Sequence, residues 1–410
     1  MHTEIIEAEG HLVDSHLLEA IFDKVIEHGA RFEIMRFEIG RTNEQFSHLV
    51  MKVLASDGRV LEELLEELLP LGCYRVEERD ATLRPADRDG CAPEDFYSTT
   101  NHRTQVRHGG RWLPVERQRM DAAIVVVQAG TPEARAVCTR LRDQRAGDPV
   151  VCGSAGLRVL PDFKERERSG FSFMSGEVSS ERRVELAAQR AADAMRRVQA
   201  EGGKTVVVAG PVVIHTGAAE ALAGLIRRGY VHVLLAGNAL AVHDAELALF
   251  GTSLGMHLER GVPAEHGHRN HMRAINMVRR AGSVAAAVEQ NVLSRGVLYQ
   301  CVRAGVPFVL AGSIRDDGPM PDTITDMNRA QDLYARYLEG ASLVLCLGTM
   351  LHSIGVANML PSSVPLVAVD INPAVITKIG DRGSSQTIGL VTDVGLFLHV
   401  LARIMEETKP

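Results

Sequence analysis

The sequence predicts an α/β protein whose C-terminal half is a doubly wound parallel sheet, with smaller α/β structure ahead of it. Two observations lead there. Five short apolar runs recur in the second half: Thr205–Gly210, Val231–Gly237, Val306–Gly312, Ser342–Gly348 and Pro365–Asp370. Helical patterns lie between them, such as Ala218–Arg228, Asn291–Ala304 and Thr325–Glu339. Strands apolar on both faces need cover on both faces, and alternating helices supply it. Four of these five runs end in glycine, which lets the chain turn sharply at a strand end.

The elements follow in order. Arg31–Ile39 and Phe46–Ala55 read as strands, the second with Leu49, Met51 and Val53 alternating. Leu61, Leu64, Leu65 and Leu68 recur at helical spacing, Gly72 offers a stop, and Cys73–Glu77 returns as a strand. Residues 1–80 therefore form a small α/β module. A ferredoxin-like sheet is one arrangement that fits, and a purely structural or oligomerisation role is the competing reading. Residues 81–180 form a β-rich middle region. In it the Gly109-Gly110 turn precedes a hairpin strand at Arg111–Val115, Ile124–Val127 is a buried strand, and Pro132–Asp143 looks helical. The polar, Gly/Ser-rich segment Arg166–Glu181 is the best candidate boundary. A helix over Arg182–Glu201 then opens a Rossmann-like domain over residues 181–410.

Composition narrows the function. A chain of 410 residues suggests two or three domains, and 45% hydrophobic with 24% charged residues is ordinary for a globular core. Aromatics are only 4%, so aliphatic packing dominates. The formal net charge is -7 with no long basic run, which disfavours nucleic acid as a partner. Arg111–Arg119 alternates with apolar and acidic residues and reads as solvated surface. Six cysteines without a CxxC pair argue against a zinc ribbon and suit a reducing cytoplasm. The N-terminus lacks the apolar core of a signal peptide, and no apolar run is long enough to span a bilayer. A small-molecule partner and a homo-oligomer are expected, with neither membrane nor resident metal.

The polar chemistry clusters at strand ends. Leu347–Gly355 follows a strand, has small or polar residues at the turn and opens a helix-like stretch. Such a turn lets a phosphate approach a helix N-terminus. Asp370 ends the next strand, where dinucleotide folds place the acid that accepts from the adenosine ribose. That acid repels a 2′-phosphate, so NAD is favoured over NADP. The bland alternative is an acid capping the turn at Asn372-Pro373. Asn238, after Ala236-Gly237, and Asp393, after Gly389–Thr392, are further strand-end polar groups. Either could also serve merely in a turn. The loop Gly312–Pro319 carries Arg315, Asp316 and Asp317, a cation for a carboxylate and acids for amines or protons. A charged turn is its alternative. His266–His271 is histidine-dense but lacks HExxH spacing, so a polar substrate wall competes there with a solvated loop and a metal. There is no GxSxG elbow, and Cys301 and Cys346 sit in apolar runs as inert core residues.

Four longer stretches carry a family resemblance: Ala92–His102, Gly210–Gly217, Ala311–Pro319 and Gly348–Ser353. They resemble the family that shares a region with bifunctional lysine-oxoglutarate reductase/saccharopine dehydrogenase proteins. The archaeal-type ornithine cyclodeaminases belong to it, as do the C-terminal parts of cyanobacterial arginine dihydrolase fusions. The resemblance spans nearly the whole chain. It implies a Rossmann-like domain holding NAD through Asn238, Ala239, Asp316, Gly348, Thr349, Met350, Leu351, His352, Asp370, Asp393 and Val394. It does not imply arginine hydrolysis, because the extra N-terminal domain of the fusions is missing. Gly267–His271 departs from a Lys-containing version of its motif at Arg269.

The implied reaction converts ornithine to proline and ammonia. Hydride leaves the α-carbon for NAD, the δ-amine attacks the resulting imine, ammonia departs, and the hydride returns. The chemistry asks for a cation at the α-carboxylate and carboxylates near the amines, for which Arg315, Asp316 and Asp317 are candidates. Asn101, His102, His268 and Asn270 are candidate substrate contacts. An NAD-dependent amino-acid dehydrogenase of saccharopine or lysine type is one rival reading, and a non-enzymatic NAD sensor is another.

Overall fold

The structure is a computed structural model. It describes the chain except residues 1, 14–16, 41–44, 162–179, 255, 258–261, 264–268, 317–318, 383–386 and 408–410. The boundary expected at Arg166–Glu181 lies almost wholly outside the described residues, as do Asp317 and His268. The chain forms two compact units. The first is built mainly on Met1–Ser172 with Asn358–Ser363, the second on Phe173–Ala357, Val364–Gly383 and Thr387–Pro410.

The first unit begins β1(His2–Gly10), α1(Leu17–Glu27), β2(Arg31–Glu38), β3(Ser47–Ala55), α2(Gly58–Leu68), β4(Cys73–Arg75). These strands form an antiparallel sheet in the order β2-β3-β1-β4, the split βαβ arrangement. In β3 alternate residues are buried, and Leu49, Met51 and Val53 meet Leu61, Leu64, Leu65 and Leu68 of α2. Asp57 caps α2, its side chain accepting from Arg59 N at 2.7 Å. The central strand β1 escaped the sequence reading. Its buried residues are Ile6, Ala8 and Gly10, with the acidic Glu7 and Glu9 between them.

A second sheet comprises β5(Thr82–Pro85), β6(Arg103–His108), β7(Arg111–Glu116), β8(Ala123–Val127), β9(Arg135–Thr139), β10(Pro149–Cys152) and β11(Leu157–Leu160). Gly109 and Gly110 both have positive φ (59° and 74°), as a two-residue hairpin turn between β6 and β7 demands. The helix expected over Pro132–Asp143 is not there. β9 occupies Arg135–Thr139, followed by a single 3-10 turn at Leu141–Asp143. Ala136 and Cys138 alternate inward against β8, so sheet pairing overrides the helix propensity of Ala, Arg and Leu.

The second unit runs α3(Ser180–Ala200), β12(Thr205–Ala209), α4(Val212–His215), α5(Ala219–Arg227), β13(Val233–Gly237), α6(Asn238–Phe250), β14(Thr252–Ser253), β15(Met256–His257), β16(Val262–Pro263), α7(Asn270–Ala281), α8(Val284–Glu289), α9(Val297–Ala304) and β17(Phe308–Ala311). It continues with β18(Thr323–Ile324), α10(Met327–Leu338), β19(Leu343–Leu347), α11(Met350–Met359), β20(Leu366–Asp370), α12(Pro373–Arg382), β21(Thr387–Val391) and α13(Val394–Glu407). All neighbours in the main sheet are parallel, in the order β18-β17-β13-β12-β19-β20-β21. One set of strand residues, Val207, Ala209, Leu234 and Leu345 among them, packs on α3, α5, α9 and α13. Their neighbours Val206, Val208, Leu235 and Val344 are equally buried on the other face. No helix among the described residues is long and apolar enough to cross a membrane.

Candidate functional site

Strand order places the site. The chain lays β12, β13 and β17 outward in one direction, then returns to start β19 on the other side of β12. Connections therefore diverge between β12 and β19, leaving a crevice outside their carboxyl ends, the usual ligand position in such sheets. Four neighbouring strands β17, β13, β12 and β19 end in or at Gly312, Gly237, Gly210 and Gly348.

The crowding explains why those residues are glycine. A Cβ on Gly210 would fall on the Gly348 carbonyl oxygen. One on Gly237 would sit 2.9 Å from His352 Cε1, and one on Gly312 3.2 Å from the Ile324 carbonyl oxygen. Gly348 has φ +58°, the left-handed region, and a Cβ there would strike Val212. The result is a crevice floor of bare backbone, with α11 opening immediately after the Gly348-Thr349 turn. Its first amide groups lack intrahelical partners and suit an anion. This floor fits a dinucleotide, whose pyrophosphate needs close backbone approach.

The polar groups along this edge are individually placed. Thr349 Oγ1 and His352 Nδ1 are 2.8 Å apart, which holds the imidazole against Gly237. Burial lowers the His352 pKa, so the ring is neutral. Asp370 ends β20 half-buried, with Oδ1 accepting from Asn372 N at 2.8 Å. Asn372 in turn caps α12, its Oδ1 accepting from Ala374 N at 3.0 Å. Asp393 Oδ1 accepts from Leu396 N at 2.8 Å at the start of α13, and the Val394 side chain is in the core. Ala239, Met350 and Leu351 are exposed near the same edge.

Other sequence candidates have structural partners. Asn238 is buried, and its Oδ1 accepts from Met320 N and Thr323 Oγ1, each at 3.0 Å. Asp316 Oδ2 accepts from Ser313 N at 2.7 Å, closing a tight turn that leaves Arg315 exposed. Asn270 is buried and donates to Thr252 Oγ1 at 3.0 Å. Thr252 Oγ1 donates to the fully buried Glu246 at 2.8 Å, and Glu246 lies 3.1 Å from His243 Nδ1. The His243 ring packs edge-on against His215, at 4.5 Å between centroids, and His215 Nδ1 is 2.6 Å from Ser253 Oγ. Burial first, then His243, lowers the His215 pKa to about 4. Sequence reading missed this network. His243 and Glu246 share a helix face, but nothing local ties them to His215.

In the first unit, Asn101 is buried and its carbonyl accepts from Ser362 N at 2.8 Å, while His102 N donates to Thr100 Oγ1 at 3.3 Å. Within the stretch read as solvated surface, Gln118 is buried and Arg119 is half-buried. Both are drawn in by hydrogen bonds to the segment around Thr99.

Comparisons with known proteins agree with this architecture. Residues 3–102 match the LOR/SDH bifunctional enzyme conserved region, and residues 103–188 and 189–401 match the first region and the Rossmann fold of the ArgZ-like arginine dihydrolase C-terminus. The chain is 48% identical to an ornithine cyclodeaminase of Methanocaldococcus jannaschii, over 98% of this chain and 96% of that one. It is 49% identical to the bifunctional arginine dihydrolase/ornithine cyclodeaminase AgrE of Nostoc sp., over 99% of this chain but only 58% of AgrE. The apo crystal structure of ArgZ superposes with a TM-score of 0.86 at 43% identity, covering 99% of this chain and 58% of ArgZ. AgrE has been solved as a ternary complex with ornithine and NAD+, at a TM-score of 0.54 and 48% identity, with the same coverage. The chain therefore spans little more than half of the bifunctional relatives, and nearly all of the archaeal one. With the LOR/SDH region joined to an ArgZ-like Rossmann fold along its length, this chain belongs to the ornithine cyclodeaminase family.

Proposed function

We propose that this chain is an NAD-dependent ornithine cyclodeaminase, releasing ammonia from L-ornithine and closing the carbon chain to L-proline. The observation that carries the reading is the glycine-floored crevice between β12 and β19, with Asp370 at the end of the adjacent strand β20. Bound NAD would supply a hydride acceptor that is restored within each turnover.

The chain's own groups have distinct tasks. The amides opening α11, with Gly348 and Thr349, hold the pyrophosphate. Asp370 accepts from the ribose hydroxyls and repels a 2′-phosphate. Ala239, Met350, Leu351 and the backbone at Asp393-Val394 border the cofactor, and Asn238 and Asp316 shape the same edge. Neutral His352 offers a hydrogen bond without adding charge. The buried floor excludes water from hydrolysable imines. Six free cysteines suit the reducing cytoplasm in which we place the enzyme.

The test is direct. Purified protein mixed with ornithine and NAD should yield proline and ammonia in equal amounts, with no build-up of NADH. Stoichiometric NADH without proline would instead establish the dehydrogenase reading, and NAD binding without turnover would establish a sensor.

A further inference from the structure

The first unit leaves one edge of its opening sheet bare. β2 is the outermost strand in the order β2-β3-β1-β4, and no strand among the described residues pairs with its outer side. Six of its eight residues are exposed, including Ile34 at 50% and Met35 at 58%. A strand edge of this length with exposed apolar residues is a template for another strand. Charges on an edge ordinarily repel such a partner, but here their order receives one.

Arg31, Glu33, Arg36 and Glu38 stand opposite Leu54, Lys52, Val50 and His48 of β3. Those β3 positions alternate with the buried ones, so all four charges lie on the sheet face turned away from the core. A bulge between Ile34 and Arg36 makes this possible, because three residues of regular strand would put Glu33 and Arg36 on opposite faces. Phe32 and Phe37 stand opposite Val53 and Leu49 on the core side, where Phe32 stacks on Phe22 of α1 with 4.5 Å between ring centroids. Along the outer face the charge therefore alternates, positive, negative, positive, negative. Such a row is fully complementary to a copy of itself that is reversed and completely overlapped. Arg31 then meets Glu38 of the second copy, Phe32 meets Phe37, Glu33 meets Arg36 and Ile34 meets Met35. Sliding by one charged position sets Arg on Arg and Glu on Glu, as does in-register parallel pairing. The bridge from Arg36 to Glu38 along the strand uses Arg36 Nε and Nη2 and Glu38 Oε1, which leaves Nη1 and Oε2 for a facing strand.

We propose that two copies of this chain join edge to edge through β2, antiparallel about a twofold axis between Ile34 and Met35, so that two four-stranded sheets become one of eight. The contact is isologous, each pair of residues occurring twice. Main-chain hydrogen bonds along β2 give it strength, and the charge order fixes its partner and register.

Two charge-swapped forms of the full chain test this. Glu33→Arg with Glu38→Arg makes the row wholly positive, and Arg31→Glu with Arg36→Glu makes it wholly negative. All four positions are exposed, so each form should keep the wild-type circular dichroism. By sedimentation velocity the wild type should be a dimer or a larger even assembly. Each swapped form alone should fall to half that mass, its dissociation constant raised at least about 100-fold, because every facing pair now carries like charge. An equimolar mixture of the two should regain the wild-type mass, since opposite rows then face each other. Met35→Cys on the otherwise native chain gives a second measurement. Adjacent strands lie about 4.8 Å apart, so a short bismaleimide should join residue 35 of one copy to residue 35 of the other, identified by peptide mass spectrometry. A wild type that stays monomeric up to about 100 μM overturns the proposal. So do swapped forms that keep the wild-type mass, a mixture that fails to regain it, or the absence of the 35-to-35 link.

Discussion

Gly210→Ala is the sharpest probe of the strand-end crevice. Gly210 is absent from the positive-φ glycines, so its backbone would accept alanine, and only space forbids it. The added Cβ would lie 2.9 Å from the Gly348 carbonyl carbon and 3.0 Å from Thr349 Cβ, and closer still to the Gly348 oxygen. Most of what it meets is backbone, which cannot rotate away. β12 and β19 must separate at their ends, straining or breaking the bond from Gly210 N to Leu347 O at 2.9 Å. Overpacking costs about 1–3 kcal/mol and the lost hydrogen bond about 1, so about 2–4 in all. For a unit of this size that lowers the melting temperature by roughly 5–15 °C. Gly355→Ala is the control, since nothing lies within 4 Å of its Cβ and it sits inside α11. It should gain about 0.5–1 kcal/mol of helix stability. Differential scanning calorimetry reads both, and titration with NAD reads the crevice. If Gly210→Ala melts with the wild type and binds NAD equally well, the two strand ends do not meet as described.

Three further outcomes follow from single side chains. Asp370→Asn keeps an acceptor for the Asn372 amide but loses the charge, so titration should show NAD binding weakened roughly 10- to 100-fold and discrimination against NADP relaxed; equal NAD affinity in Asp370→Ala would refute its ribose role. His215, with its pKa lowered to about 4 from 6.5, binds fewer protons folded than unfolded, so its contribution to stability is lost as pH falls through that window. Melting curves of His215→Gln should lack that acid-side loss. Asp244 is the opposite case: burial raises its pKa from 3.8 to about 6 against the lowering pull of the Leu298 and Val297 amides, so the stability tied to its protonation is present below that window and lost as pH rises through it. Because its carboxylate accepts from both amides at 2.8 Å, Asp244→Ala should cost about 2–4 kcal/mol in urea unfolding, and a loss under 1 would show that water replaces it.

Much of the second unit was legible because its signals are local. A fully buried strand must be apolar throughout, and Thr205–Ala209 and Leu343–Leu347 are buried at every residue. Likewise, a chain that leaves a crowded strand end needs glycine there. The first unit was harder. In β1 acidic residues share the strand with few apolar ones, and in β9 helix-favouring residues form a strand because β8 is there to pair with. Local patterns carry no record of such distant partners.

The sequence alone determined the class of fold, the parallel sheet with its glycine strand ends, and the family, because each is written in contiguous residues. Tertiary structure decided which polar groups are spent and which remain. Asn238 and Asn270 look available in the sequence and are engaged by Met320, Thr323 and Thr252, whereas Gln118 lies in a stretch that looks solvated and is buried, its Nε2 donating to the Thr100 carbonyl. The reason is physical: whether a side chain is satisfied depends on atoms brought to it by folding, and those come from positions that no sequence window contains.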